Sequence, residues 1–136
     1  MRGRLAPALA ASVVLAGCID LDERLDGEAI RALYADHIIE GRHEIKQFTF
    51  RSFYSADGRF FSYRSDEGHL REGTWWVEAD RMCIRWKTAG DGYCREVLKD
   101  WRGRYRKILF RPSGKEADVV VYSSFIPGKF EDLTRP

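Results

Sequence analysis

The stretch "MCIRWKTAGDGYCREV", residues 82–97, decides how this chain folds. In its first arm Ile84 and Trp86 alternate with Arg85 and Lys87; in its second, Tyr93 and Val97 share one parity, Cys94 and Glu96 the other. A period of two is that of a strand with one buried face. Between the arms stands "TAGDG", whose glycines and aspartate suit a turn. Closed as a hairpin, the two arms set Cys83 opposite Cys94 on the polar face, at a separation a disulfide can span.

The same pattern extends outward from this hairpin. Alternating runs are predicted at 38–41, 45–54, 58–64, 70–78, 82–87, 92–98, 104–111 and 117–125, with "SADG", "SDEG", "EAD", "TAGDG", "DWRG" and "PSGKE" as turns. Strands about ten residues apart with short connections pair as antiparallel neighbours, and seven or eight of them leave exposed edges unless the sheet closes. The expected fold is therefore all-β, an up-and-down meander closing into a small lipocalin-like barrel, with a two-sheet sandwich as the alternative. One short helix precedes it: Asp26 suits an N-cap, and Ile30, Leu33, Tyr34 and His37 fall on one helical stripe. Adjacent aromatics such as Trp75 and Trp76 must point to opposite sheet faces, so part of the aromatic content faces outward.

The N-terminus reads as an address. Arg2 and Arg4 precede an apolar run, Leu5 to Ala16, about a dozen residues long; a membrane-spanning helix needs about 20. The run ends in Leu15-Ala16-Gly17-Cys18, which resembles the bacterial lipobox, where cleavage before the cysteine leaves a lipidated N-terminal residue. That resemblance implies a signal peptide at 1–17, a lipid anchor on Cys18 and an acidic tether at 18–26, with a single barrel domain over 27–136. Ile19 in the second mature position, where an aspartate would signal inner-membrane retention, favours the outer membrane, the domain facing the periplasm. Cys83 and Cys94 then lie in a compartment that permits disulfides. With Arg2 and Arg4 gone, 21 basic residues face 21 acidic ones, so the mature domain is neutral and lacks the footprint of nucleic-acid binding.

The order of "FYSADGRF", "GTWWVEADRMCIRW" and "YCREVLKDWRGRY" resembles that of small secreted alphaproteobacterial β-proteins of unknown function over roughly residues 26–110. Asp57, Gly58, Gly73 to Trp75, Cys83 to Trp86 and Cys94 carry the likeness, which implies a fold and no catalytic residue. Gly73-Thr74-Trp75 is also similar to the barrel-closing G-x-W of lipocalins, although here it falls mid-chain.

Little in the sequence points to catalysis. His37, His43 and His69 fit no metal motif, and Ser123 and Ser124 lack a nucleophile elbow, so no metal, cofactor or catalytic residue is expected. The most conspicuous polar feature is "WRGRYRK", residues 101–107. If it is extended, Arg102, Arg104 and Arg106 line one face, and with Lys107 they offer a possible anion contact to envelope polymers; the bland reading is a solvated hairpin. Three functional readings follow: a non-enzymatic envelope lipoprotein that binds a protein partner or envelope component, a lipocalin-like small-ligand carrier, and an inhibitor of a periplasmic hydrolase. The carrier requires a cavity larger than packing leaves.

Cys18 is the residue placed to be both cleavage site and lipid acceptor. Cys18→Ser is expected to leave the chain uncleaved or soluble on fractionation; a variant that still sediments with membranes at its mature size would overturn the lipobox reading.

Overall fold

Alternation of apolar and polar residues does produce a closed ring of strands. The computed structural model describes residues 3, 22–88, 90–110 and 112–134. Cys18 and the expected signal peptide, Gly3 excepted, lie outside the described residues. A two-residue strand β1 (Glu23–Arg24) leads into helix α1 (Gly27–Tyr34). Eight longer strands follow: β2 (His37–His43), β3 (Phe48–Tyr54), β4 (Arg59–Arg64), β5 (Leu70–Glu78), β6 (Arg81–Trp86), β7 (Tyr93–Lys99), β8 (Tyr105–Phe110) and β9 (Glu116–Pro127).

Each of these eight pairs antiparallel with the next, and β9 returns to pair with β2, so the meander is an eight-stranded barrel. The sandwich alternative fails on that seam, since closure leaves none of the eight without two neighbours. Gly41 lies beside the register shift where β9 meets β2. A Cβ there would stand 2.7 Å from both the Phe50 ring and the Val121 carbonyl oxygen, so only glycine lets the strands approach.

The helix closes one end. Asp26 caps it, accepting a hydrogen bond from Ala29 N–H at 2.8 Å. Its apolar stripe enters the barrel: Ile30 and Tyr34 are fully buried, and Tyr34 meets Tyr54 edge-on with ring centroids 4.9 Å apart. The Tyr34 hydroxyl donates to that of Tyr122 at 2.6 Å, which satisfies a polar group that burial would otherwise penalise.

Three expectations need correction. His37 does not share the helical stripe; the left-handed Asp36 (φ 56°) breaks the helical period and His37 opens β2. The tether does not run to residue 26: Glu23 and Arg24 pair with Lys99 and Leu98, and Leu25 is buried in the core. The first hairpin turns at 44–47, inside the strand expected at 45–54, and "EIKQ" carries no glycine or proline to announce it. Beyond the expected strands, a 3₁₀ turn at Phe130–Thr134 lays Leu133 against Ile38, Phe53 and Phe61, a second small core on the outside of the barrel. Phe60 and Phe61 thus divide between the two cores, and Trp75 is buried inside while Trp76 is partly exposed outside.

Cys83 and Cys94 are register partners between β6 and β7, with Cα atoms 4.0 Å apart and sulfurs at disulfide distance. Cys83 has the outward parity of its strand yet is fully buried, flanked in register by Trp76 and Cys94. Glu78 lies close to both sulfurs, but a disulfide has no thiolate to offer a metal. The cross-link closes a loop of about a dozen residues, for which chain entropy gives about 3 kcal/mol. Replacing both cysteines by serine is expected to lower the melting temperature by roughly 10 °C or more; an unchanged melting curve would show that the bond does not stabilise the barrel.

Candidate functional site

Period-two alternation fixes which side chains enter the barrel. From β3 come Phe48, Phe50, Ser52 and Tyr54; from β4, Phe60, Ser62 and Arg64. Across the ring, β7 contributes Tyr93 and Arg95, β8 contributes Lys107, and β9 contributes Asp118 and Val120. These residues do not fill the interior. They enclose an open cavity of about 350 Å³, where close packing would leave few voids larger than a water molecule. Its volume falls within the range of about 300–1,000 Å³ typical of small-molecule sites.

The lumen has two different ends. At the floor, Tyr54 meets Tyr34 and Trp75 edge-on, and Trp75 Nε1 donates to the Ser55 carbonyl at 2.8 Å. Burial pushes the hydroxyls of Tyr34, Tyr54 and Tyr122 well above the ordinary tyrosine range, so the floor stays neutral. Midway up, Phe60 and Trp86 stack with centroids 4.9 Å apart, and the Ser52 hydroxyl bonds that of Ser62 at 2.7 Å. Gly73, between them in register, has no side chain to intrude, and a Cβ there would strike the Arg85 carbonyl at 2.4 Å.

The mouth is cationic. Arg64 lies over the Phe48 ring at 3.7 Å, Arg71 over Trp86 at 4.0 Å and Arg95 over Tyr93 at 4.4 Å. Lys46 and Lys107 complete five basic residues on a lining that contains one carboxylate, Asp118. Arg64 and Arg71 find acids on the rim, Asp66 at 2.7 Å and Glu67 at 3.6 and 3.7 Å. Asp118 is held by Arg95 Nε at 2.9 Å and by His43 Nε2. His43 Nδ1 accepts the Lys46 backbone N–H at 3.0 Å, so both ring nitrogens are engaged. Burial alone would raise the Asp118 pKa, but the charge of Lys107, the hydrogen bond and charge of Arg95, and His43 outweigh it and hold the carboxyl below the usual aspartate range.

The arginine row expected on one face does not form. Residues 101–103 are a turn with Gly103 left-handed (φ 78°). There the Asp100 carboxylate accepts the N–H groups of Arg102 and Arg104, both at 2.9 Å, and pairs with the Arg104 guanidinium at 3.0 Å. Arg106 pairs outside the barrel with Asp22 at 2.6 Å, and Arg102 folds over Trp101. Lys107 alone of the four points into the lumen. The clue was in the sequence: Lys107 shares the strand parity of Tyr105, opposite to that of Arg106, but its charge grouped it with the arginines. His69 sits 3.6 Å from Glu67 and is exposed, whereas His37 bonds the Ala35 carbonyl. Compared with protein-family models, curated proteins and solved structures, the chain finds no match.

Because the Asp118 pKa is depressed in the folded state, its stabilisation is present above the unfolded value near pH 3.9 and is lost as pH falls through the lower folded value. Asp118→Asn is expected to cost about 2 kcal/mol in urea unfolding near neutral pH, a difference that shrinks in acid as the carboxylate is protonated. An equal penalty at neutral and acid pH would contradict this role.

Proposed function

We propose that this protein is a non-enzymatic envelope lipoprotein whose barrel holds a small ligand in its lumen. The observation that carries the reading is the 350 Å³ cavity, in a barrel narrow enough for side chains to have filled it. Aromatic walls over a neutral floor, under a ring of cations, suit a molecule with an apolar body. The non-catalytic part of the reading is supported by His43, whose two nitrogens are both occupied and offer no site for a substrate proton.

The anchor would orient the site. The turns at 79–80 and 101–103 share the helix-plugged end, and β1 enters there beside Lys99. Cys18 precedes Asp22 by four residues, a reach of at most about 14 Å. A lipid on Cys18 therefore holds the plugged end toward the membrane, with Trp101, 72% exposed, on that side, and the mouth opening away from it.

Naphthalene, neutral and ten carbons in size, serves as a probe. One molecule is expected to bind per chain, with quenched or shifted tryptophan emission, and Ser62→Phe is expected to weaken binding by at least about tenfold by filling the cavity. No binding to the natural chain, or equal binding to the filled variant, would defeat the carrier reading.

A further inference from the structure

Among the described residues, Lys107 is the buried cation of the lumen that no acid meets within ion-pair distance; Lys46, also without one, is exposed. Lys107 is only 7% exposed. Its strand partners in register are Val97 and Val120, both core residues, while Arg95 and Asp118 lie one inward position nearer the mouth. Among the described residues its ammonium makes no hydrogen bond and has no carboxylate within 4 Å; the Tyr93 ring lies 5.9 Å away. Asp118 feels the charge of Lys107 but lies beyond ion-pair distance of it, and its oxygens bond Arg95 and His43. The ammonium opens onto the cavity with none of its donors used by the described residues, so an acceptor that enters the lumen can take them.

We infer that Lys107 is the anion-recognition residue of the lumen, and that the ligand is a small organic carboxylate with an apolar body. The inference rests on reading the lumen as a binding cavity and adds the chemistry of its occupant. Around the ring β8 stands four places from β4, so Lys107 faces the wall that bears Phe60 and Ser62. A carboxylate at Lys107 would send its body against Phe50, Phe60, Ile84 and Trp86. A single charge matches the one buried ammonium without an ion pair, since the arginines of the lining are already paired with Asp118, Asp66 and Glu67. At about 30 Å³ per non-hydrogen atom, the cavity holds about a dozen of them, which rules out a diacyl lipid and fits a ten-carbon chain with its head group.

The experiment uses the full chain with Cys18→Ser, so that no attached acyl chain competes, and titrates decanoate, decanol, decylammonium and decyl phosphate below their micelle concentrations by calorimetry. Decanoate is expected to bind one-to-one, at least about tenfold tighter than decanol or decylammonium. Lys107→Met is expected to remove that preference while decanol binding stays, and Lys107→Arg to restore it. Equal binding of decanoate and decanol, unaffected by Lys107→Met, overturns the inference and leaves the carrier reading standing. Binding of none of the four overturns both. Tighter binding of decyl phosphate than of decanoate overturns the single-charge assignment. Should Lys107→Met fail to fold, judged by its melting curve, the head-group comparison on the parent chain and Lys107→Arg decide the matter.

Discussion

The pairing of β9 with β2 is the constraint on which the rest depends. An open meander of eight strands would expose two edges and, with its inner face uncovered, would collapse into a filled sandwich. Closure removes the edges and obliges eight inner faces to converge on one axis. Gly41 makes that seam possible, because any side chain there would collide with Phe50 and with the β9 backbone. The interior that results is bounded by geometry before any side chain is chosen, and the residues then determine how much of it is filled.

They fill it unevenly. Ile30, Tyr34, Tyr54, Trp75 and Tyr122 occupy the plugged end with large apolar surfaces; the Tyr34 and Tyr122 hydroxyls bond each other and the Trp75 indole bonds the Ser55 carbonyl. Toward the mouth the inward positions pass to serines, a glycine, and arginines that lie over aromatic rings instead of filling the axis. Long cationic side chains repel one another and prefer ring faces and the rim acids, so they line the wall and leave the centre open. The near balance of 23 basic and 21 acidic residues in the chain conceals this segregation: positive charge lines the lumen, and acids such as Asp66 and Glu67 lie on the rim.

Much of this was legible in the sequence by itself. Alternation of period two, turn residues every ten or so positions, and the Cys83/Cys94 hairpin follow from local rules, and they determine an antiparallel, disulfide-linked meander that begins with a capped helix. What local rules did not reveal depends on the third dimension. The turn at 44–47 uses no glycine or proline; it forms because His43 and Phe48 pair across it. His37 left its apparent stripe because one left-handed residue ended the helix. The 3₁₀ turn at the C-terminus forms against Ile38, Phe53 and Phe61, residues from three strands that share a patch only after the barrel closes.

The candidate site shows the division most clearly. "WRGRYRK" reads as one basic cluster, because in the sequence its charges are adjacent. The fold sends them to three places: a turn around Asp100, the outer surface beside Asp22, and the lumen. Composition determined that the charges exist, and parity determined that Lys107 opposes Arg106. Only the tertiary structure decided that the face of Lys107 is enclosed and that its neighbours come from β7 and β9, since burial and electrostatic partnership are properties of residues far apart in the chain and brought together by closure.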